Sequence, residues 1–436
     1  MSFYRFGLAR RRRWRSPRAV VGSSVAVLAA VASLALATST AGAEARREDT
    51  HWTAAWTASM IAASPPLFGQ GPDNWSLDGF TDQSVRQVVR VTRGGSTLRV
   101  RLSNAYGSAP LAVAGASVGV ARDGASVKPG TMHTVTFDRS PSTVIPAGRE
   151  AASDVVPMHV SPLQRLTITL YFAQPTGPAT FHMHSFATSY RAPGDHQLDQ
   201  SAAAFGETTT SWYYLTGVDV NGSDEHGSGA VIAFGDSITD GAISTVDANH
   251  RYPDLLAERL VAAGRPVSVL NAGIASNQVL GTFPGGGASA LDRFHHDALD
   301  QPGVRSIIIL EGINDIAIGT LTTGEPVTAA QLIAGYKTLI QRAHQRGIHI
   351  IGATITPTKA AMETPFYTES GEAVREAVND WIRTSGAYDA VVDLDRAIAD
   401  PADPRRMRPE YNSGDGAHPN DAGMRAIADA IDLNIL

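Results

Sequence analysis

The sequence predicts an α/β protein built in two parts: an all-β, jelly-roll-like sandwich, then a three-layer α/β/α sandwich on a parallel sheet. Three observations predict it. Residues 50–225 alternate apolar and polar side chains with a period of two and carry turn signals between the runs. A polar, glycine-rich stretch, Asn221-Gly222-Ser223-Asp224-Glu225-His226-Gly227-Ser228-Gly229, then interrupts the pattern. Beyond it, short continuous apolar runs alternate with helical periodicity, as strands buried on both faces require. The expected division is residues 1–43, 44–225 and 226–436.

The first 43 residues read as an export signal. Arg10 to Arg18 form a positive segment, Ala19 to Ala37 are small or apolar without charge, and Ala41-Gly42-Ala43 suits signal peptidase. The competing reading is a membrane anchor, but the run is Ala/Ser-rich and weakly hydrophobic, so cleavage after Ala43 and a secreted product are expected, with no stable membrane insertion afterwards. Sec and Tat export stay unseparated, because two strongly apolar residues do not follow the arginines.

In the second part, Leu98, Val100 and Leu102 alternate with Arg99, Arg101 and Ser103, and Leu166, Ile168, Leu170 and Phe172 with Thr167, Thr169 and Tyr171. Val135/Phe137 and Phe181/Met183 repeat the pattern, and Trp212 to Val220 reads as one more strand. Turns are expected at Gly94-Gly95, Tyr106-Gly107, Asp123-Gly124, Pro129-Gly130 and Thr176-Gly177.

In the third part the expected strands are Val231–Phe234, Val267–Leu270, Ser306–Leu310, His349–Ala353 and Ala390–Leu394. The expected helices are Tyr252–Ala263, Ala288–Leu299, Thr328–Gln345, Gly371–Thr384 and Asp421–Leu433. Pro253 fits a first helical turn and Gly347 closes the long helix.

Composition narrows the function. The 436 residues carry a net charge of −6, but the first 43 hold seven Arg and no acid, leaving 29 basic against 42 acidic residues, a net −13. That balance argues against nucleic acid as a partner and against anionic membrane surfaces. With no cysteine, disulfides, thiolate metal sites and a cysteine nucleophile are excluded.

Ligands of such a sheet bind beyond the carboxyl ends of its strands. Four loops there carry chemistry: Gly235-Asp236-Ser237-Ile238, Asn271-Ala272-Gly273, Glu311-Gly312-Ile313-Asn314-Asp315 and Asp415-Gly416-Ala417-His418. A serine between strand and helix needs a base, and His418 is the candidate. Asp415, three residues earlier, would hold the imidazole in one tautomer. The backbone N–H groups of Ser237 and Gly273 and the Asn314 amide would serve as oxyanion donors. Alone, Ser237 reads as a helix cap and Gly273 as a turn glycine; together with Asp415 and His418 they read as a site.

These four blocks resemble those of the SGNH hydrolases, or GDSL esterases/lipases, over roughly residues 229–436. The resemblance implies Ser237 as nucleophile, His418 as base, Asp415 as its partner, an oxyanion hole of Ser237, Gly273 and Asn314, and no metal or organic cofactor. One departure stands out: where relatives commonly place a second glycine after Asn271-Ala272-Gly273, this chain has Ile274-Ala275-Ser276-Asn277. The opening Trp52-Thr53-Ala54-Ala55-Trp56 is similar to the β-sandwich ahead of the catalytic domain in some secreted actinobacterial members.

Other residues read more plainly. Asp236 and Asp315 are expected to hold loops. Asp240 and Glu311 read as solvated loop carboxylates, with tuning of the site as the alternative. His182 and His184, with His159 a possible third, have a spacing that metal sites use, but they read as a solvated strand face. His295-His296 reads as helix surface or as a pair supporting the site from behind. Trp52, Trp56, Trp75 and Trp212 read as core, with a sugar-stacking platform as the alternative.

The expected function is a secreted serine ester hydrolase cleaving short acyl esters, acetyl above all, from an acylated carbohydrate. The alternatives are a lipase or lysophospholipase acting on lipid or simple esters, an acyltransferase, and a carbohydrate-binding protein with a relic hydrolase domain. The oligomeric state is not legible.

Overall fold

The computed structural model describes residues 52–67, 74–221, 229–359 and 367–436. The export signal and the boundary stretch 222–228 lie outside the described residues.

Two larger antiparallel sheets dominate the β part, beside two two-stranded pairs. One is four-stranded, in the order Trp52–Thr57, Leu215–Asn221, Thr97–Ser103, Glu150–Ala152. The other is six-stranded, in the order Glu207–Thr209, Ser189–Pro193, Gln83–Arg90, Arg165–Phe172, Gly115–Val120, His133–Val135. Val100, Leu102 and Val218 of the first share one core with Val85, Val118, Ile168 and Leu170 of the second, as the period-two alternation requires. Trp56, Trp75 and Trp212 are buried in this core, so none of these three offers a sugar-stacking surface. The run Trp212 to Val220 is not one strand. Tyr214 sits in the left-handed region (φ 58°), which splits the run. The first piece, Trp212–Tyr213, pairs with Phe181–His182.

The C-terminal part holds a five-stranded parallel sheet in the order Ser268–Gly273, Ala230–Gly235, Val304–Leu310, His349–Ala353, Ala390–Val392. Strand Ala230–Gly235 shows why an apolar run builds three layers. Ile232 and Phe234 pack with the helices Ala290–Phe294, Ala329–Gln345 and Glu369–Thr384. Val231 and Ala233 point the other way, toward Tyr252–Ala262 and Asp421–Ala430. Thr328 and Gln331 form a capping box at the start of the long helix. Helix Ala290–Phe294 continues as a π-helical turn, His295–Leu299. Two helices depart from the expected list: Ile313–Thr323 holds Asn314 in its first turn, and Leu394–Ile398 starts where the strand Ala390–Leu394 was expected to end. Among the described residues no helix is long and apolar enough to cross a membrane.

The two parts pack into one unit. Strand Ser268–Gly273 lies at the edge of the parallel sheet, where unpaired backbone groups invite other chains. The β part covers it. Val269 N–H donates to Thr92 Oγ1 at 3.0 Å, and the Thr92 hydroxyl lies 3.0 Å from the Ala55 carbonyl oxygen. Ala54 donates to the Pro302 carbonyl at 2.9 Å and is itself part of the α/β core. A polar cavity of about 20 Å³ remains between the parts, lined among others by His182, Trp212, Asp240, Arg251 and Asn271; that is room for one water.

Candidate active site

Strand Ala230–Gly235 delivers the chain into a one-turn helix, Ser237–Asp240. Asp236 caps it, its Oδ1 accepting from Ile238 N at 3.0 Å. Gly241, at φ 102°, ends it. Gly235 is required here: a Cβ would lie 2.1 Å from the Leu310 carbonyl oxygen and 2.3 Å from Thr239 Oγ1. Ser237 is left 7% exposed, its Oγ 2.8 Å from His418 Nε2.

His418 precedes the last helix. Its Nδ1 lies 2.6 Å from Asp415 Oδ2. Asp415 Oδ1 accepts from the Ala417 and His418 backbone N–H groups at 2.9 and 2.8 Å and from Ser413 Oγ at 3.0 Å. Burial pushes the Asp415 carboxyl up, but the His418 hydrogen bond and charge and these backbone donors outweigh it and hold it well below the usual carboxylate range. An ionised carboxylate only accepts, so the proton sits on Nδ1 and Nε2 faces the serine with a lone pair.

Gly273 and Asn314 stand at the ends of the flanking strands. A Cβ on Gly273 would fall 2.2 Å from Asp240 N, so only glycine lets this strand end close against the serine turn. Its N–H donates to Asn271 Oδ1 at 2.9 Å. Asn314 Nδ2 donates to the Asn277 carbonyl at 3.0 Å. The Gly273 amide, expected as an open donor, therefore already has a partner, and so does one of the two Asn314 amide hydrogens. The loop that lacks a second glycine keeps its shape because Ser276 itself takes the left-handed conformation (φ 60°).

Below the serine turn lies a buried charge cluster that sequence reading missed. Arg293, 5% exposed, donates to Gly235 O and Ala272 O, each at 2.8 Å, and to Asn277 Oδ1 at 2.8 Å. It thereby ties together the ends of two strands and the loop that receives Asn314. It also pairs with Asp297 at 3.2 Å and lies 3.6 Å from Glu311 Oε2. Glu311 is not solvated: it is 2% exposed, and neither carboxyl oxygen has a hydrogen-bond partner. Burial, with Asp236 nearby, pushes it well above the usual carboxylate range. Burial also pushes Asp236 up to about 6 and Asp315 up to about 7. Asp315 holds a loop as expected, but a distant one, accepting from Val279 N at 2.7 Å and Leu280 N at 2.9 Å.

Three further expectations are corrected. Asp240 is 3% exposed, not a solvated carboxylate. His182 is 4% exposed, with Nδ1 2.8 Å from Ser59 O and Nε2 3.0 Å from Asp240 Oδ1. The acid that the sequence did not show beside it comes from the serine turn, 58 residues along the chain. His184, from the same segment, is half-buried; burial holds it below the usual histidine range, against the pull of Asp240. His295 and His296 are surface residues; His296 bridges Asp297 at 2.7 Å and Glu150 at 3.1 Å.

A nucleophilic hydroxyl, an oriented base and polar donors at neighbouring strand ends are what acyl transfer from an ester requires. Residues 233–426 match the GDSL-like Lipase/Acylhydrolase family. Solved structures similar to the chain include a lipase/acylhydrolase from Enterococcus faecalis (20% identity, 46% of this chain and 92% of that one, TM-score 0.37). Another is the acetyl xylan esterase Axe2 from Geobacillus stearothermophilus (20% identity, 47% and 93%, TM-score 0.37). No curated protein matches the chain. Residues 233–426 are a GDSL-like lipase/acylhydrolase domain, and this domain marks the protein as a carboxylic ester hydrolase.

Proposed function

We propose that Ser237 is the nucleophile of this hydrolase, and the observation that carries the reading is the continuous chain Ser237–His418–Asp415 at 2.8 and 2.6 Å. Ser237 Oγ attacks the ester carbonyl as His418 Nε2 takes its proton. Asp415 holds the tautomer and stabilises the imidazolium. The N–H groups of Ser237 and Gly273 and the Asn314 amide receive the oxyanion, each worth about 3 kcal/mol of barrier. Gly273 must share or release Asn271 Oδ1 to do so. His418 then protonates the leaving alcohol, and water activated by His418 frees the acid.

The preferred substrate is a short acyl ester, acetyl above all, on a carbohydrate alcohol. The slight exposure of Ser237 supports a small acyl group. A second reading, a longer-chain lipid ester, is favoured by Ile243 and Val246, apolar side chains 53% and 45% exposed in the loop after the serine turn. The export pattern of residues 1–43 supports action outside the cell.

Hydrolysis of p-nitrophenyl esters of increasing acyl length tests the reading. The wild type is expected to favour acetate, and Ser237→Ala to lose at least about a thousandfold in kcat. An inactive wild type, or equal rates in both proteins, overturns it. Acetate release from acetylated xylan, compared with fatty-acid release from phospholipid, separates the two substrates.

A further inference from the structure

The β part reaches the serine turn directly. Asp240, last residue of that turn, uses both carboxyl oxygens. Oδ2 accepts from Ala275 N at 3.1 Å, in the loop that follows Gly273. Oδ1 lies 3.0 Å from His182 Nε2. The Asp240 backbone also packs against Gly273 closely enough to exclude a Cβ. One carboxylate thus joins the nucleophile turn, the Gly273 loop and the β part.

The Ser59 carbonyl can only accept, so His182 Nδ1 carries hydrogen, and Nε2 shares a buried hydrogen bond with Asp240 Oδ1. Trp212 stacks on the ring at 5.4 Å, so His182 is held on a fixed platform. The segment is anchored twice more: Asp247 N donates to Phe186 O at 3.0 Å and Arg251 Nη1 to Ser185 O at 2.6 Å.

We infer that His182 is a positioning residue of the hydrolase, supplied by the β part: through Asp240 it fixes the Gly273 loop against the serine turn, so that oxyanion donors are in place before the substrate arrives. His182 touches no reacting atom in this role. Its effect belongs to the transition state, because the oxyanion exists only there; loss of His182 therefore lowers kcat and leaves KM nearly unchanged. The inference rests on the proposed roles of Ser237 and Gly273.

The test uses the full chain, with Ser237 titrated by a fluorophosphonate so that rates are counted per competent site. His182→Ala is expected to lower kcat roughly tenfold or more, with KM within about twofold, because a displaced oxyanion donor weakens catalysis without weakening ground-state binding. His182→Gln, which restores a donor to Asp240, is expected to recover part of that loss. A purely structural role would lower the melting temperature and the number of titrated sites while leaving kcat per site unchanged; that result overturns the inference. If His182→Ala does not fold, His182→Gln against wild type decides by the same split: lower kcat per site at equal KM supports it, and unchanged kcat overturns it. A wild type that neither hydrolyses esters nor reacts at Ser237 would instead overturn the proposed mechanism itself.

Discussion

The two walls of the proposed site are built differently. The base wall is local: Asp415 and His418 are three residues apart, and the Asp415 carboxylate is held by Ser413, Ala417 and His418 of its own loop. Both side chains are partly exposed, at 37% and 18%. The oxyanion wall is buried and long-range. Gly273 and Asn314 follow different strands, and their loops are fastened by Asp315, beside Asn314, and by Arg293, Asp240 and His182 from three further segments. A local, wet wall should fail in chemistry while the fold survives. A buried, shared wall should fail in stability and chemistry together.

The largest expected effect tests the first half of that contrast. Asp415→Asn keeps an oxygen for the Ala417 and His418 donors but presents an amide N–H to Nδ1. That favours the tautomer with Nε2 protonated, which cannot accept from Ser237. A loss of about 10³–10⁴ in kcat is expected, with a melting temperature within about 2 °C of wild type. Steady-state kinetics and calorimetry on the same preparation check both numbers. A small kcat loss would mean that the loop orients His418 without the carboxylate.

Arg293→Met tests the other wall. Methionine keeps an apolar stem over the Phe234 ring, where the guanidinium sits 3.9 Å from the centroid. It leaves Asp297 without its buried cation and Gly235 O, Ala272 O and Asn277 Oδ1 without their shared donor. A destabilisation of about 3–5 kcal/mol is expected, read as a fall in the denaturant midpoint, together with a lower kcat in the molecules that remain folded. An unchanged midpoint would show that the strand ends hold their positions without it.

The same contrast explains what was legible in the sequence. Ser237, Asp415 and His418 could be placed because local spacing and strand-end position mark them. The parallel sheet could be placed because strands buried on both faces write themselves as apolar runs. His182 could not, because a histidine on a solvated strand face and one paired with an acid 58 residues away look identical in period-two alternation. Arg293 could not either: beside Asp292 and the His295-His296 pair, nothing separates an inward arginine from a solvated one. The helix Ile313–Thr323 is masked by its start, since Gly312-Ile313-Asn314-Asp315 reads as a loop. The break at Tyr214 is a left-handed turn on a residue type that carries no such signal.

Burial of three carboxyls behind the oxyanion wall also sets a pH dependence. Glu311, Asp236 and Asp315 are raised by burial, the last two to about 6 and about 7, while unfolded carboxyls titrate near about 4. Between those values the folded chain holds protons that the unfolded chain has released. The resulting stability is fully present below about pH 4 and is lost as pH rises through 6 to 7. Urea midpoints should therefore fall from pH 5.5 to pH 8. Glu311→Gln, neutral throughout, should flatten that slope. Equal slopes in both proteins would mean that Glu311 is not among the groups responsible.

The smallest effect concerns Ser276, which occupies the place of the missing glycine. A left-handed residue other than glycine is strained by about 1–2 kcal/mol, and glycine gives back about 0.4–1 kcal/mol through its freer unfolded chain. Ser276→Gly should therefore stabilise the protein by about 0.5 kcal/mol, a shift near the limit of calorimetry. Its kcat is the sharper readout, because Ser276 lies between Ala275, which donates to Asp240, and Asn277, which accepts from Asn314 and Arg293. Contacts of the proposed oxyanion wall thus flank the strained residue on both sides. If serine is there only because the loop tolerates it, kcat stays at the wild-type value while stability rises. If the stiffer backbone holds those contacts in register, kcat falls as stability rises, and the oxyanion wall is then kept in place by local strain as well as by its distant partners.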